Sequence, residues 1–122
     1  MATLTAQASL TVSGISSDDI NTGLVSMTPT VTEGGITSVS ISTRSTAGEK
    51  IIEADHYASG TTVWLRNRST SETVTIEITS GTDAIVLGPS TWAMFPWKAA
   101  TDMLAYSTNV SEEPVLEVGV FV

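Results

Sequence analysis

TTVWLRNRSTSETVTIEITSGTDAIVLGP, residues 61–89, decides the fold class. Its first part, 61–68, alternates: Val63 and Leu65 take one side, Trp64 and Arg66 the other. STSE then connects to TVTIEIT, 73–79, where Val74, Ile76 and Ile78 share an inward face and Thr75, Glu77 and Thr79 point outward. A period of two is the mark of a half-buried strand, because successive side chains leave a pleated backbone on opposite faces. SGTD, 80–83, reads as a hairpin turn into AIVLGP.

The same grammar extends in both directions. TLTAQASLTV, 3–12, places Leu4, Ala6, Ala8, Leu10 and Val12 on one side and predicts a half-buried strand. GLVSMTPTVT, 23–32, reads as an edge strand or arm, since Pro29 removes a ladder donor. Gly34-Gly35 is a turn signal before ITSVSIST, and STAGE, 45–49, is a second break before the short strand KIIEA. After TWAMFPW come a polar connection to about Asp102, a strand near MLAYS, a turn at SEEP and the strand VLEVGVFV. KAATDMLAY, 98–106, is the one stretch that could instead form a short helix. Eight or nine strands with turn signals roughly every ten residues describe an all-β, antiparallel sandwich, jelly-roll-like in kind.

Composition narrows the function. The chain has 122 residues, one domain's worth. With 13 acids against 5 bases its net charge is −8. It lacks the basic footprint that neutralises phosphates, which argues against nucleic acid and anionic membranes as partners. There is no cysteine, so no disulfide or thiolate metal site. No apolar run approaches the roughly 20 residues of a spanning helix. MATLTAQASL has no basic n-region, so the protein is expected to be made and used without export. Thr and Ser together fill 36 positions, while charged residues are only 15% against about 25% in an ordinary soluble domain. A surface so weakly charged is expected to face another protein. Residues 1–48 carry one base, three acids and no aromatic, whereas 49–122 carry all seven aromatics. The shift divides the chain into a Ser/Thr-rich β layer or N-terminal arm, 1–48, and an aromatic-containing sandwich core, 49–122.

Three of the seven aromatics fall within LGPSTWAMFPW, 87–97. In an extended chain Trp92, Met94 and Pro96 point one way and Ala93, Phe95 and Trp97 the other, so both faces are bulky. A strand of a single sandwich buries one face and wets the other. The second face is covered by the chain's own arm or loops, forms an interface with a subunit or partner, or serves as a carbohydrate platform of Trp rings. The apolar strand VLEVGVFV must also be paired and covered, and closure in an oligomer is one way to cover it. The candidate interface residues are therefore Trp64, Arg66, Trp92, Met94, Phe95, Trp97, Val120, Phe121 and Val122.

Candidate chemistry is sparse. His56 is the only histidine and lies in EADHY with Glu53 and Asp55, a possible acid–base or metal pair whose simpler reading is a turn between strands. Asp18-Asp19 and Glu112-Glu113 are hard oxygen ligands in type, but neither pair has EF-hand spacing. Arg66 and Arg68 share a strand face with Trp64 and read as surface ion pairs or stacking partners. No phosphate loop and no G-x-S-x-G elbow is present. The sequons at Asn67 and Asn109 are short enough to arise by chance. No catalytic residue, cofactor or metal site is assigned, and the protein is expected not to be an enzyme.

Beyond these features the chain resembles a family. MATLTAQASLTVSGISSDDI, EKIIEADHYASGTTVWLRNRS and LGPSTWAMFPW are similar to small virion structural proteins of marine tailed bacteriophages, cyanophages among them. The shared arrangement is Val63-Trp64-Leu65-Arg66-Asn67 followed by Gly88 through Trp97. The resemblance covers about two-thirds of the chain and is a texture of strands and turns; residues 1–48 do not align to a known role. It implies a β-sandwich or jelly-roll subunit, a homotrimer, made in the host cytoplasm and placed in the virion. Such a subunit decorates the capsid exterior as a cement protein bound to the major capsid protein, or builds a tail, collar or tail fibre.

Overall fold

The computed structural model describes residues 2–12, 20–43, 48–54, 61–79, 81–98, 101–108 and 112–122. Among them every regular element is a strand, and no helix is long and apolar enough to cross a membrane. His56, Asp55, Asp18, Asp19 and Asn109 lie outside the described residues. The chain divides into two compact units, Met1–Glu33 and Gly34–Val122.

In the first unit β1 (Ala2–Thr3) pairs antiparallel with β4 (Thr30–Val31), and β2 (Ala6–Val12) with β3 (Ile20–Met27). Pro29 falls in the gap between β3 and β4, where its missing N–H costs no ladder bond, and its carbonyl accepts from the Leu4 N–H at 3.2 Å. The expected strand over 3–12 is two strands, β1 and β2; Leu4 and Ala6 on its apolar side are half-buried as the alternation predicts, whereas Ala8 is exposed, as are Leu24 and Val25 of β3. A two-stranded ribbon has no second layer of its own to bury apolar side chains against.

The second unit contains β5 (Gly34–Ser40), β6 (Glu49–Ile52), β7 (Thr61–Asn67), β8 (Val74–Ile78), β9 (Asp83–Leu87), β10 (Trp92–Trp97), β11 (Met103–Ser107) and β12 (Val115–Phe121). Its pairings nest: β8 with β9, β7 with β10, β6 with β11, β5 with β12. The unit is thus one long hairpin folded over on itself. Two further ladders, β11 with β8 and β12 with β7, join the nested pairs into four-stranded sheets ordered β10-β7-β12-β5 and β6-β11-β8-β9. The sheets face one another across a single core. Val63 and Leu65 of β7 and Leu116, Val118 and Val120 of β12 meet Ile52, Val74, Ile76, Leu87, Met103 and Ala105. Burying a side chain of this size contributes about 1.5–3 kcal/mol, so this cluster carries most of the stability.

The structure departs from the sequence reading at several points. The unit boundary falls before Gly34 and not near residue 48, because β5 pairs along its whole length with β12. Gly34 and Gly35 open that strand and do not form a turn; a Cβ on Gly34 would lie 2.5 Å from the Phe121 ring and 2.7 Å from the Val120 carbonyl, so only glycine fits. The segment 103–107 is a strand, buried throughout, and not part of a helix. VLEVGVFV is no edge: β12 lies between β7 and β5, and its cover comes from its own chain.

Glu77, assigned to the outer face of β8, is fully buried. Its Oε1 accepts the N–H of Gly81 at 3.0 Å and its Oε2 the N–H of Gly48 at 3.3 Å. A buried carboxylate is tolerated where donors replace its water. On the same sheet, Asp102 Oδ1 accepts the Ala54 N–H at 2.7 Å and Oδ2 meets Lys50 Nζ at 3.0 Å. The Ala54 N–H first, and Lys50 second, hold the Asp102 carboxyl below its ordinary 3.8. The bond to Asp102 raises the Lys50 ammonium above its ordinary 10.5. Asp102 therefore stabilises the fold fully above the ordinary carboxylate value, and that contribution is lost as pH falls through the lowered one. Lys50 contributes fully below 10.5 and loses its share as pH rises through the raised value. Thermal unfolding from about pH 5 down to about pH 2 checks the acid limb: the advantage of wild type over Asp102→Asn is expected to shrink toward zero. A difference that stays constant over that range contradicts the assignment.

Candidate interaction surface

The site is the outer face of the β10-β7-β12-β5 sheet, and its placement starts at one buried side chain. Asn67, the last residue of β7, is fully buried. Its Nδ2 donates to the carbonyls of Glu72 at 2.7 Å, Gly88 at 3.0 Å and Leu87 at 3.1 Å, while its Oδ1 accepts the Ser69 N–H at 3.0 Å. The Ser90 N–H reaches the Ser69 carbonyl at 2.8 Å, and the Asn67 N–H reaches Thr91 at 2.9 Å. Two loops, 68–73 and 88–91, are thereby tied together. The second of them delivers Trp92 onto the sheet.

Register then lines up three rows across the face: Trp92–Arg66–Glu117–Ser38, Met94–Trp64–Gly119–Ile36 and Pro96–Thr62–Phe121–Gly34. Trp92 is diagonal to Trp64, the spacing at which long side chains on paired strands meet. Their rings stack with centroids 5.2 Å apart and 24° between planes. Gly119 is the floor between them and Ile36. A Cβ there would lie 3.0 Å from Trp64 Cβ, 3.1 Å from Phe121 Cε2 and 3.2 Å from Ile36 Cγ1, so the three side chains close over the glycine. Trp92 remains 51% exposed and Ile36 58%, which leaves an apolar platform facing solvent.

One carboxylate borders the platform. Glu117 receives Trp64 Nε1 at 3.5 Å, Arg68 Nε at 3.5 Å and Arg66 at 3.8 Å. At such distances and with both guanidinium groups half exposed, each ion pair is worth less than about 1 kcal/mol. Their use is positional: two cations, with Glu117 between them, stand at the rim of the aromatic surface.

Of the residues named from sequence, Trp64, Arg66, Trp92, Met94 and Phe121 are brought together on this face. Phe95 and Trp97 are not; they point inward against the core and meet edge to face, centroids 6.3 Å apart. Trp97 Nε1 is buried with no hydrogen-bond partner among the described residues. Val120 is a core residue and Val122 packs against the core. Ile36, Glu117 and Gly119 belong to the face and escaped the sequence reading, because their place depends on β12 pairing on both sides. Glu53 is exposed and pairs with Lys50 at 3.6 Å. Glu112 and Glu113 are exposed beside Arg68 and Ser69, at an open pocket of about 230 Å³. Among the described residues no group of three or more His, Asp or Glu is placed to hold a metal ion. The chemistry this face offers is contact: aromatic area for burial and two guanidinium groups for acidic or carbonyl partners. No protein-family model matches the chain, and no curated protein matches it.

Proposed function

We propose that this chain is a non-enzymatic structural protein of a tailed-phage virion, a capsid decoration protein that binds the assembled shell through the outer face of the β10-β7-β12-β5 sheet. The observation that carries the reading is the stacked Trp64–Trp92 pair, solvent-facing beside Ile36 and rimmed by Arg66 and Arg68. Aromatic and Arg side chains are the usual anchors of protein interfaces. The nested pairing agrees with the winding of a jelly roll, an architecture used by viral capsid proteins, although lectins use it too and fold alone assigns no role. Sequence resemblance supplies the virion context. Decoration stabilises a shell by mass action, since the protein binds the assembled lattice and not free subunits, and many weak contacts add through multivalency.

Co-sedimentation with purified undecorated shells tests this. Wild type is expected to saturate the shell, and Trp92→Ala to weaken binding by about 30-fold, the cost of an interface anchor worth about 2 kcal/mol, while its cooperative thermal unfolding is retained. Wild type that stays in the supernatant sinks the reading. Gold labelling at the tail and not the head assigns it to a tail, collar or fibre.

One observation favours a second reading. An exposed indole plane such as that of Trp92 is also a surface on which a pyranose ring stacks. A carbohydrate-binding module would show glycan-dependent quenching of Trp fluorescence that Trp92→Ala abolishes.

A further inference from the structure

The two sheets of the second unit end in four edge strands, β10, β5, β6 and β9. An open edge presents a row of unpaired N–H and C=O groups, and proteins that stay apart blunt such edges with proline, charge, bulges or brevity. Three of the four are blunted. β10 carries Pro96. β6 is four residues long, contains Glu49 and Lys50, and pairs across a register shift. β9 begins at Asp83 and pairs across a register shift as well. β5 has none of these devices. GGITSVS, Gly34–Ser40, is seven residues without a charge or a proline, and its register with β12 is unbroken from Gly34↔Phe121 to Ser40↔Val115. Every residue of β5 except Val39 is exposed, and among the described residues no strand pairs with its second edge.

We propose that this edge is a self-association surface: β5 of one copy pairs antiparallel with β5 of a second copy about a two-fold axis. Two arguments select a second copy as the occupant. An antiparallel ladder between identical strands is its own two-fold mate, so one edge supplies both halves of an isologous contact. Charge points the same way. A chain of net charge −8 opposes the approach of its twin over most of its surface, whereas residues 34–43 carry no charge at all. The product is a continuous eight-stranded sheet in which the Trp92 platforms of the two copies lie on one surface. It is a dimer and not the trimer that the family resemblance implies. The inference stands on the strand edge alone and is independent of the virion reading.

Sedimentation velocity over a concentration series, at two salt concentrations, tests it. The dissociation constant is expected to fall with added salt, as like-charge repulsion is screened. Ser38→Lys puts a cation on the exposed edge opposite Glu117, which keeps a local partner for it within the fold. Near a two-fold axis each substitution acts twice, so the variant is expected to raise the dissociation constant about tenfold or more while remaining folded. Amide exchange provides a check without substitution: β5 amides that point away from β12 gain protection only at concentrations where the dimer forms. A wild type monomeric at every concentration overturns the proposal, and so does a dimer indifferent to Ser38→Lys with no change in β5 exchange. Trp92→Ala, on β10 at the opposite edge of the sheet, is expected to weaken shell binding while leaving the dimer dissociation constant unchanged, which separates the two surfaces. Failure of either leaves the other measurable.

Discussion

Replacing Asn67 by alanine is expected to lower the free energy of unfolding by about 3 kcal/mol, because it leaves several buried backbone groups without partners. The Asn67 side chain is fully buried and serves carbonyls on two loops at once, so no single local rearrangement replaces it. Water does not reach the site readily, and each unpaired buried group carries its own desolvation cost of about 1–3 kcal/mol. Asn67→Asp is expected to be at least as damaging: it keeps the Ser69 acceptor but turns an oxygen toward carbonyls that need a donor. Urea denaturation measures both. A loss below about 1 kcal/mol for Asn67→Ala would show that the loops hold without it. Because the same amide fixes the turn that presents Trp92, the folded fraction of this variant should also show weakened Trp64–Trp92 exciton coupling in far-ultraviolet circular dichroism.

The second large effect is expected at Glu77. Glu77→Ala removes the acceptor of the Gly48 and Gly81 N–H groups and opens a cavity where a fully buried side chain stood, a combined cost of about 3 kcal/mol. Glu77→Gln keeps one acceptor oxygen and is expected to cost about 1 kcal/mol. Chemical denaturation gives the totals. Amide exchange gives the mechanism, since Gly48 and Gly81 should lose protection in Glu77→Ala well beyond the global change. Equal stability of the alanine and glutamine variants would mean that the retained hydrogen bond and the filled volume contribute nothing.

These two residues also mark where the sequence stops being legible. Alternation placed Val63, Leu65, Val74 and Ile76 correctly on inward faces, because apolar side chains and the pleat obey the same period of two. The rule then sends Glu77 to water, since it knows only the strand's own neighbours. What holds Glu77 inside are N–H groups from Gly48 and Gly81, and the first of these is 29 residues away in sequence. Asn67 is similar: its sequence context shows a polar residue ending a strand, and two of its partners, Leu87 and Gly88, return only after a whole hairpin.

The aromatic run was legible as an excess but not as an orientation. Both faces of Trp92–Trp97 are bulky, so composition cannot say which is core. Pairing of Trp92 with Arg66 and of Phe95 with Val63 decides it, by fixing which alternate set meets the inner face of β7. Ile36, Glu117 and Gly119 were invisible for the same reason, since the platform is assembled from four strands that are distant in sequence. The split of the chain was misplaced because β5 contains no aromatic residue and little to distinguish it from the Ser/Thr-rich residues before it. Its place in the larger unit comes from its partner, β12.

That partner is the final strand in chain order, yet it sits inside its sheet, between β7 and β5. A nascent polypeptide emerging from the ribosome therefore completes the inner hairpins early but carries two bare ladders until β12 has been translated. During that interval the strands meant for β12 are templates for any other extended chain, so a chain whose β12 is not yet placed is expected to need holdase protection from aggregation.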